Sequence, residues 1–302
     1  MQGLPNYDYE HIFVDNTSTD NSREIFKQVV AEDHHVHVIF MARNSGNSQP
    51  SMMAGLRYAT GDGVVIIDGD LQDPPEIIPQ FVTKWEEGYD VVYGVRKKRS
   101  DALYLRICYR IFYRIFKFLS YLNIPLDAGD FGIMSRRVVN VITALPEKDL
   151  YLRGLRAWAG FKQTGVPYVR DARAGGITSN NFFANITWFK RAIINFSYKP
   201  LELISHLAFF SVFATFCLGC FYLYRHFSTG APQGFSTLLM FVFIFGSLQL
   251  LALAVIAEYL IRIFQEVKNR PAYIIEEIIG QPQSASLAHG AYKAPTVTSP
   301  EA

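Results

Sequence analysis

Three aspartates fall within six positions in VVIIDGDLQDPP, residues 64–75. Four apolar residues run straight into Asp68, and Asp70 follows two positions later. A short apolar run of this kind reads as a buried strand, so the charge arrives where the chain leaves a sheet. Two carboxylates at i and i+2 on a turning segment can both reach one divalent cation. Hard oxygen donors suit magnesium or manganese, ions that keep waters and bind substrate phosphates as well. A metal-held diphosphate is therefore the chemistry expected of Asp68 and Asp70. The same spacing lets Asp70 and Asp73 cap the helix that Pro74 and Pro75 begin, and Asp73 is read in that second way. Further on, LDAGDFGIMSRR (126–137) sets Asp127 and Asp130 beside Gly129 and Gly132 in what reads as a turn before a helix, where a lone aspartate also has an ordinary structural use.

The elements that must position these groups alternate along the first 95 residues. HIFVD (11–15), VHVIF (36–40), VVIID (64–68) and DVVYG (90–94) read as strands. Helical patterns separate them over about 20–31, 48–59 and 76–87, with Ser18 or Thr19 as the expected cap of the first helix. Strands joined by helices of this length imply a parallel sheet with helices on both faces, because parallel neighbours require a crossover. Ligands of such sheets bind beyond the carboxyl ends of the strands, where Asp15, Asp68 and Asp70 lie.

Half of the 302 residues are hydrophobic, enough for one large core and something more. Residues 203–224 and 235–257 are two apolar runs, each long enough as a helix, roughly 33 Å, to cross a bilayer. Lys190, Arg191 and Lys199 precede the pair and Arg262, Lys268 and Arg270 follow it, while the short turn carries only Arg225 and His226. The positive-inside rule then places both flanks and the N-terminal region in the cytoplasm. Cys217 and Cys220 fall inside the first span and read as small packing residues. LYLRICYRIFYRIFKFLSY (103–121) and NITWFKRAIINFSYKP (185–200) read as interfacial segments, the first alternatively as a surface helix. The first apolar cluster is too short for a signal peptide, and a net charge of +2 gives no reason to expect nucleic acid. His34, His35 and His37 lack a carboxylate or cysteine at ligand spacing and are not read as a metal site. The last twenty or so residues have the composition of disorder.

Seven stretches in order carry a family resemblance: VDNTSTDNS (14–22), ARNSGN (42–47), ATGDGVVIIDGDLQDPPE (59–76), DAGDFGIMSRRVV (127–139), YLRGLRAWAGFKQTGVPY (151–168), NFSYKPL (195–201) and EYLIRIFQEVKNRPAYII (258–275). Together they resemble the family 2, GT-A-fold glycosyltransferases that act on polyprenyl phosphates, in the bacterial branch with two membrane helices. The resemblance implies that Asp15 holds the nucleotide's base or ribose, and that Asp68 and Asp70 are the DxD pair for metal and diphosphate, with Gln72 beside them. It makes Asp130 the carboxylate of the acceptor site and catalytic base. Arg96 and Arg153 match basic positions near the donor diphosphate and the acceptor phosphate respectively.

The implied reaction is inverting transfer of a hexosyl group from a UDP- or GDP-sugar to undecaprenyl or another polyprenyl phosphate at the cytoplasmic face of the inner membrane, in cell-envelope glycan synthesis. Mg2+ or Mn2+ is the implied cofactor, and a homo-oligomer is expected. The expected organisation is a GT-A domain over 1–182, a juxtamembrane helix over 183–200, a transmembrane hairpin over 201–262 and a cytoplasmic tail over 263–302. Three departures stand out. Relatives place a strand and helix before the strand containing Asp15, whereas this chain starts at MQGLPNYDYEH, so the GT-A domain reads as lacking its first strand. Gly132 stands where relatives often have arginine, and RAGGITSNN (173–181) lacks a common lysine. An inactive homologue acting as a membrane scaffold is the alternative reading.

Overall fold

VHVIFM, residues Val36–Met41, forms a strand in which all six residues are buried, as expected of a strand covered on both faces. The computed structural model to which it belongs describes residues 4–96, 128–169, 194–229 and 234–280. These fall into two units, one from 4–96, 128–169 and 269–280, the other from 194–229 and 234–268. In the first unit β1 (His11–Asp15) is followed by α1 (Ser22–Glu32), β2 (Val36–Met41), α2 (Gln49–Tyr58) and β3 (Gly63–Ile66). A single 3-10 turn, Pro75–Ile77, leads into α3 (Ile78–Glu86) and β4 (Val91–Arg96). Then come β5 (Ala128–Ser135), α4 (Arg136–Ala144), α5 (Leu152–Ala159) and β6 (Gln163–Tyr168).

The alternation read from the sequence is present, but the strands make two sheets. One has the order β1-β2-β7, where β7 (Ile275–Ile279) follows the second apolar helix; the other has the order β3-β5-β4-β6. β1 and β2 are parallel, as are β4 and β6. β5 runs antiparallel to both β3 and β4, and β7 runs antiparallel to β2. Among the described residues β1 and β3 each pair on one side only. Their starting ends are tied by Glu10, whose Oε1 accepts from the Thr60 and Gly61 backbone amides at 2.5 and 3.1 Å.

Each sheet has its own core. Val36, Val38 and Phe40 of β2 pack with Phe13, Phe26, Val29, Val30 and Ile279, which seats α1 on the first sheet. Phe81 and Val82 of α3 pack with Val92, Phe131, Ile133, Val166 and Tyr168 on the second. Arg23 of α1 reaches Glu276 and Glu277 of β7 at 3.2 and 2.8 Å, joining residues far apart in sequence.

AGDFGIMS, expected as a glycine-bearing turn, is the eight-residue strand β5. Its glycines serve close approach rather than turning. A Cβ on Gly132 would lie 2.4 Å from the Val92 carbonyl oxygen, so an arginine here would not fit this packing. Asp90 fixes the far end of the strand: it accepts from the Ser135 hydroxyl at 3.1 Å and forms an ion pair with Arg137. The arginine's bonds hold its carboxyl below the ordinary carboxylate value.

The second unit contains α6 (Lys199–Thr229) and α7 (Phe235–Val267), both long and apolar enough to cross a membrane. Cys217 and Cys220 are free and exposed on α6. Tyr259 on α7 donates to the Ser197 carbonyl at 2.7 Å, just before α6. The arginine-bearing stretch 103–121, the glycine-rich 173–181, most of 185–200 and the final twenty residues lie outside the described residues.

Replacing Gly132 by alanine is expected to cost about 1–3 kcal/mol through overpacking against β4. Thermal unfolding of the solubilised protein checks this, and an unshifted midpoint would contradict the close approach.

Candidate active site

β5 runs opposite to β3 and β4, so its beginning lies at their ends. The β3–β5 ladder closes at Ile66↔Gly132, and both Asp68 and Asp130 lie just past that pair on the same edge. On the other side the register of β4 against β5 shifts between Tyr93 and Val95, opening the ladder beside Asp130. Asp130 therefore sits in a strand yet projects a carboxylate that is not consumed by the sheet.

Its partners come from α5. Arg153 Nε donates to Oδ1 and Nη2 to Oδ2, both at 3.1 Å, a bidentate pair. The Asp130 side chain is 9% exposed and that of Arg153 32%. A cation in the first turn of a helix opposes the helix dipole, so this arginine's position is explained by its partner rather than by helix preference. Gln49, the first residue of α2, donates from Nε2 to Asp130 Oδ2 at 3.3 Å. Arg156 is buried, donates to the Gly129 carbonyl at 3.3 Å, and lies 4.9 Å from the centre of the Tyr93 ring.

These groups set the ionisation of the site. Burial alone would raise the Asp130 carboxyl, but the charge and bonds of Arg153, the charge of Arg156 and the Gln49 bond outweigh it and hold it below 3.8. Arg153 is held above its ordinary value despite burial, chiefly by Asp130, with Tyr151 and Asp68 adding to the effect. Burial pulls Arg156 down to about 10, which leaves it charged at neutral pH.

Arg96 reaches the same edge from β4. Its Nε donates to the Tyr168 hydroxyl at 3.3 Å, and a Cβ on Gly129 would lie 3.1 Å from its Nη2. Tyr168 in turn donates to buried Asp73. The expected capping role of Asp73 is thus corrected: Pro74 occupies the cap position of the 3-10 turn, with no side-chain cap bond. Asp73 instead fastens the loop after β3 to β6. Within that loop the Gln72 amide donates to Asp70 Oδ1 at 3.2 Å, and Leu71 takes a left-handed φ of 57°.

Asp15 ends β1 on the other sheet, where its carboxylate accepts from the backbone and hydroxyl of Ser18. The residue at the N-cap of α1 is Asn21, not Ser18 or Thr19. Asn16 links this turn to the β2–α2 loop by accepting from the Ser45 amide at 3.0 Å. Asp33, His34 and His35 bring ligand atoms within 4.8 Å of one another, so these histidines do have a carboxylate neighbour. They lie at the start of β2, away from the strand ends that carry the aspartates, and Asp33 is engaged with the His35 ring at 2.9 Å.

The model for Glycosyl transferase family 2 matches residues 1–143. The uncharacterized glycosyltransferase YkcC of Bacillus subtilis is 39% identical over 274 residues, covering 90% of this chain and 84% of that protein. The chain belongs to glycosyl transferase family 2. The bactoprenol glucosyl transferase of Shigella phage SfII is 36% identical over 279 residues, 92% of this chain and 90% of that protein. A prophage bactoprenol glucosyl transferase homolog of Escherichia coli K12 is 34% identical over 280 residues, 92% and 91%. In this family 2 glycosyltransferase, Asp130 and Arg153 of the predicted site are in direct contact, Asp68 lies within the field of Arg153, and Arg96 joins the same edge through Tyr168. Arg156 was overlooked, although its spacing from Arg153 puts both on one face of a helix. Gln49 had no signal in the sequence.

Replacing Arg153 by alanine leaves Asp130 without its principal counterion. The loss at neutral pH is expected to be about 2 kcal/mol, below the 3–5 typical of fully buried pairs because Arg153 is partly solvated. A carboxyl held below its unfolded value adds stability above that value and loses it as pH falls through the folded one. The gap between variant and wild type should therefore narrow below about pH 4 in thermal unfolding, while a gap constant with pH would contradict the pairing.

Proposed function

We propose that this glycosyltransferase moves a sugar from a UDP- or GDP-sugar to the phosphate of undecaprenyl or another polyprenyl phosphate, with inversion. The observation that carries the reading is the bidentate Asp130–Arg153 pair. It presents a partly exposed cation within the field of Asp68, and Arg153 Nη1 makes no hydrogen bond among the described residues. An arginine has donors left over after one bidentate contact, and a phosphate is a matching acceptor. The bactoprenol glucosyl transferases named above add a second, independent support.

In this reading Arg153 binds the acceptor phosphate and Asp130 orients it. The acceptor oxygen attacks the anomeric carbon, the bond from that carbon to the donor diphosphate breaks, and the electron pair leaves with the nucleoside diphosphate. A phosphate monoester is largely ionised near pH 7, its second pKa being about 6, so the nucleophile needs little help in losing a proton. Asp130, held below the ordinary carboxylate value, is suited to orientation and charge placement more than to strong base catalysis.

Asp68 and Asp70 fit a hard divalent ion by their donor chemistry: two part-exposed carboxylates past a strand end, Asp70 being oriented by the Gln72 amide. Mg2+ or Mn2+ held there would neutralise the leaving diphosphate. Gln72 and Arg96 would flank the diphosphate, and Asp15 would face the nucleoside.

We further place α6 and α7 as a transmembrane hairpin of the cytoplasmic membrane with the catalytic domain in the cytoplasm. The chain enters α6 after β6 and rejoins the first sheet as β7 after α7, so both outer ends serve one folded unit. Basic residues on the flanks favour the cytoplasmic side. The exposed apolar faces of both helices suit lipid or further copies of the chain, and a homo-oligomer is proposed on that ground.

Asp70→Ala should reduce transfer of labelled sugar into organic-extractable polyprenyl phosphate sugar by roughly 100-fold or more. The assay supplies magnesium and a panel of nucleotide sugars to membranes bearing the protein. Undiminished transfer by the variant would overturn the metal assignment.

A further inference from the structure

Gln49 is 3% exposed; besides a 3.7 Å Nε2 contact to Met52 Sδ in its own helix, its amide bonds to two other segments. Nε2 donates to Asp130 Oδ2 at 3.3 Å, and Oε1 accepts from the Leu152 backbone amide at 2.7 Å. Leu152 is the first residue of α5, so this amide is one that the helix cannot satisfy itself. The partners also fix the orientation of the side chain, since a carboxylate needs the NH2 end and a backbone N–H needs the oxygen.

We propose that Gln49 is a positioning residue for sugar transfer, one that locks the Asp130 carboxylate and the helix carrying Arg153 into a single arrangement. This rests on the reading that Asp130 and Arg153 handle the acceptor phosphate. The bond to Leu152 places the start of α5, which bears Arg153 one residue later. The bond to Asp130 occupies one side of Oδ2, on which Arg153 also converges. Gln49 therefore touches neither substrate in this reading and acts through the pair.

The charged and titratable groups around it come from three directions. Arg153 and Arg156 face Asp130 from α5, Tyr151 adds its charge interaction from the preceding loop, and Asp68 acts on Arg153 from the loop after β3. Into this setting Gln49→Glu introduces an acid of nearly the same shape. A protonated glutamic acid reproduces both contacts, its hydroxyl donating to Asp130 and its carbonyl accepting from Leu152. Ionised, it sets a second negative charge against Asp130 and loses the donor. Burial and the neighbouring carboxylate favour the protonated form against the charge of Arg153 and Arg156, much of which Asp130 already engages, so its titration is expected above the ordinary 4.3 or so.

The test measures kcat and the KM for undecaprenyl phosphate across pH 5–8.5 for wild type, Gln49→Glu, Gln49→Met and Asp130→Asn. For Gln49→Glu the expected loss in kcat/KM for the acceptor is roughly 10- to 100-fold at pH 8, shrinking to about threefold or less near pH 5. The donor KM stays close to wild type. Gln49→Met shows a loss that does not recover at low pH. Because the ratio is taken within one preparation, a misfolded fraction lowers it equally at every pH and cannot imitate the recovery. A ratio for Gln49→Glu that is independent of pH, with Asp130→Asn impaired, overturns the role of Gln49 alone. Full activity of Asp130→Asn overturns the reading of the acceptor site and the proposal with it.

Discussion

A carboxylate with nine-tenths of its side chain buried stays ionised only if its surroundings replace the water it has lost. For Asp130 the replacement is two bonds from Arg153, one from Gln49 and the nearby charge of Arg156. Much of the second sheet's edge is arranged to make this possible. β5 is threaded antiparallel between β3 and β4, bringing Asp130 to the end where Asp68 and Arg96 emerge. α5 delivers two arginines from one face, and α2 contributes the amide that joins them to the strand.

The close approach of backbones is the cost of that threading. Gly132 fits under the Val92 carbonyl where a larger residue would collide, and Gly129 leaves room for the Arg96 guanidinium. The Tyr168–Asp73 contact then fastens the acidic loop to β6, beside the strand that carries Arg96. The loop bearing Asp68 and Asp70 is thereby positioned from both ends, by β3 before it and by Asp73 after it. This is the rigid support that the proposed site for a diphosphate and a metal would need.

Much of this was legible in the residues. HIFVD is β1 to the residue, and the other three expected strands fall within two positions of β2, β3 and β4, because alternating apolar runs and amphipathic helices record local geometry. β5 was not legible: two glycines in eight residues imitate a turn, and only the neighbouring strand reveals that they allow contact. β7 was missed because a five-residue strand after a long apolar helix carries little signal of its own. In the site, Asp68, Asp130 and Arg153 announced themselves as charge at strand ends or by family resemblance. Asp73 was misread since its partner, Tyr168, is 95 residues away, and Gln49 was invisible for the same reason, with partners 81 and 103 residues distant.

The central claim is that Asp130 and Arg153 act as one ionised unit in handling the acceptor. A double-mutant cycle on sugar transfer to polyprenyl phosphate, using Asp130→Asn, Arg153→Met and the combined variant at pH 7.5, tests it directly. If the pair is a unit, the combined variant loses about as much kcat/KM as the worse single variant. If the two losses multiply, the residues act independently and the account of the site is wrong.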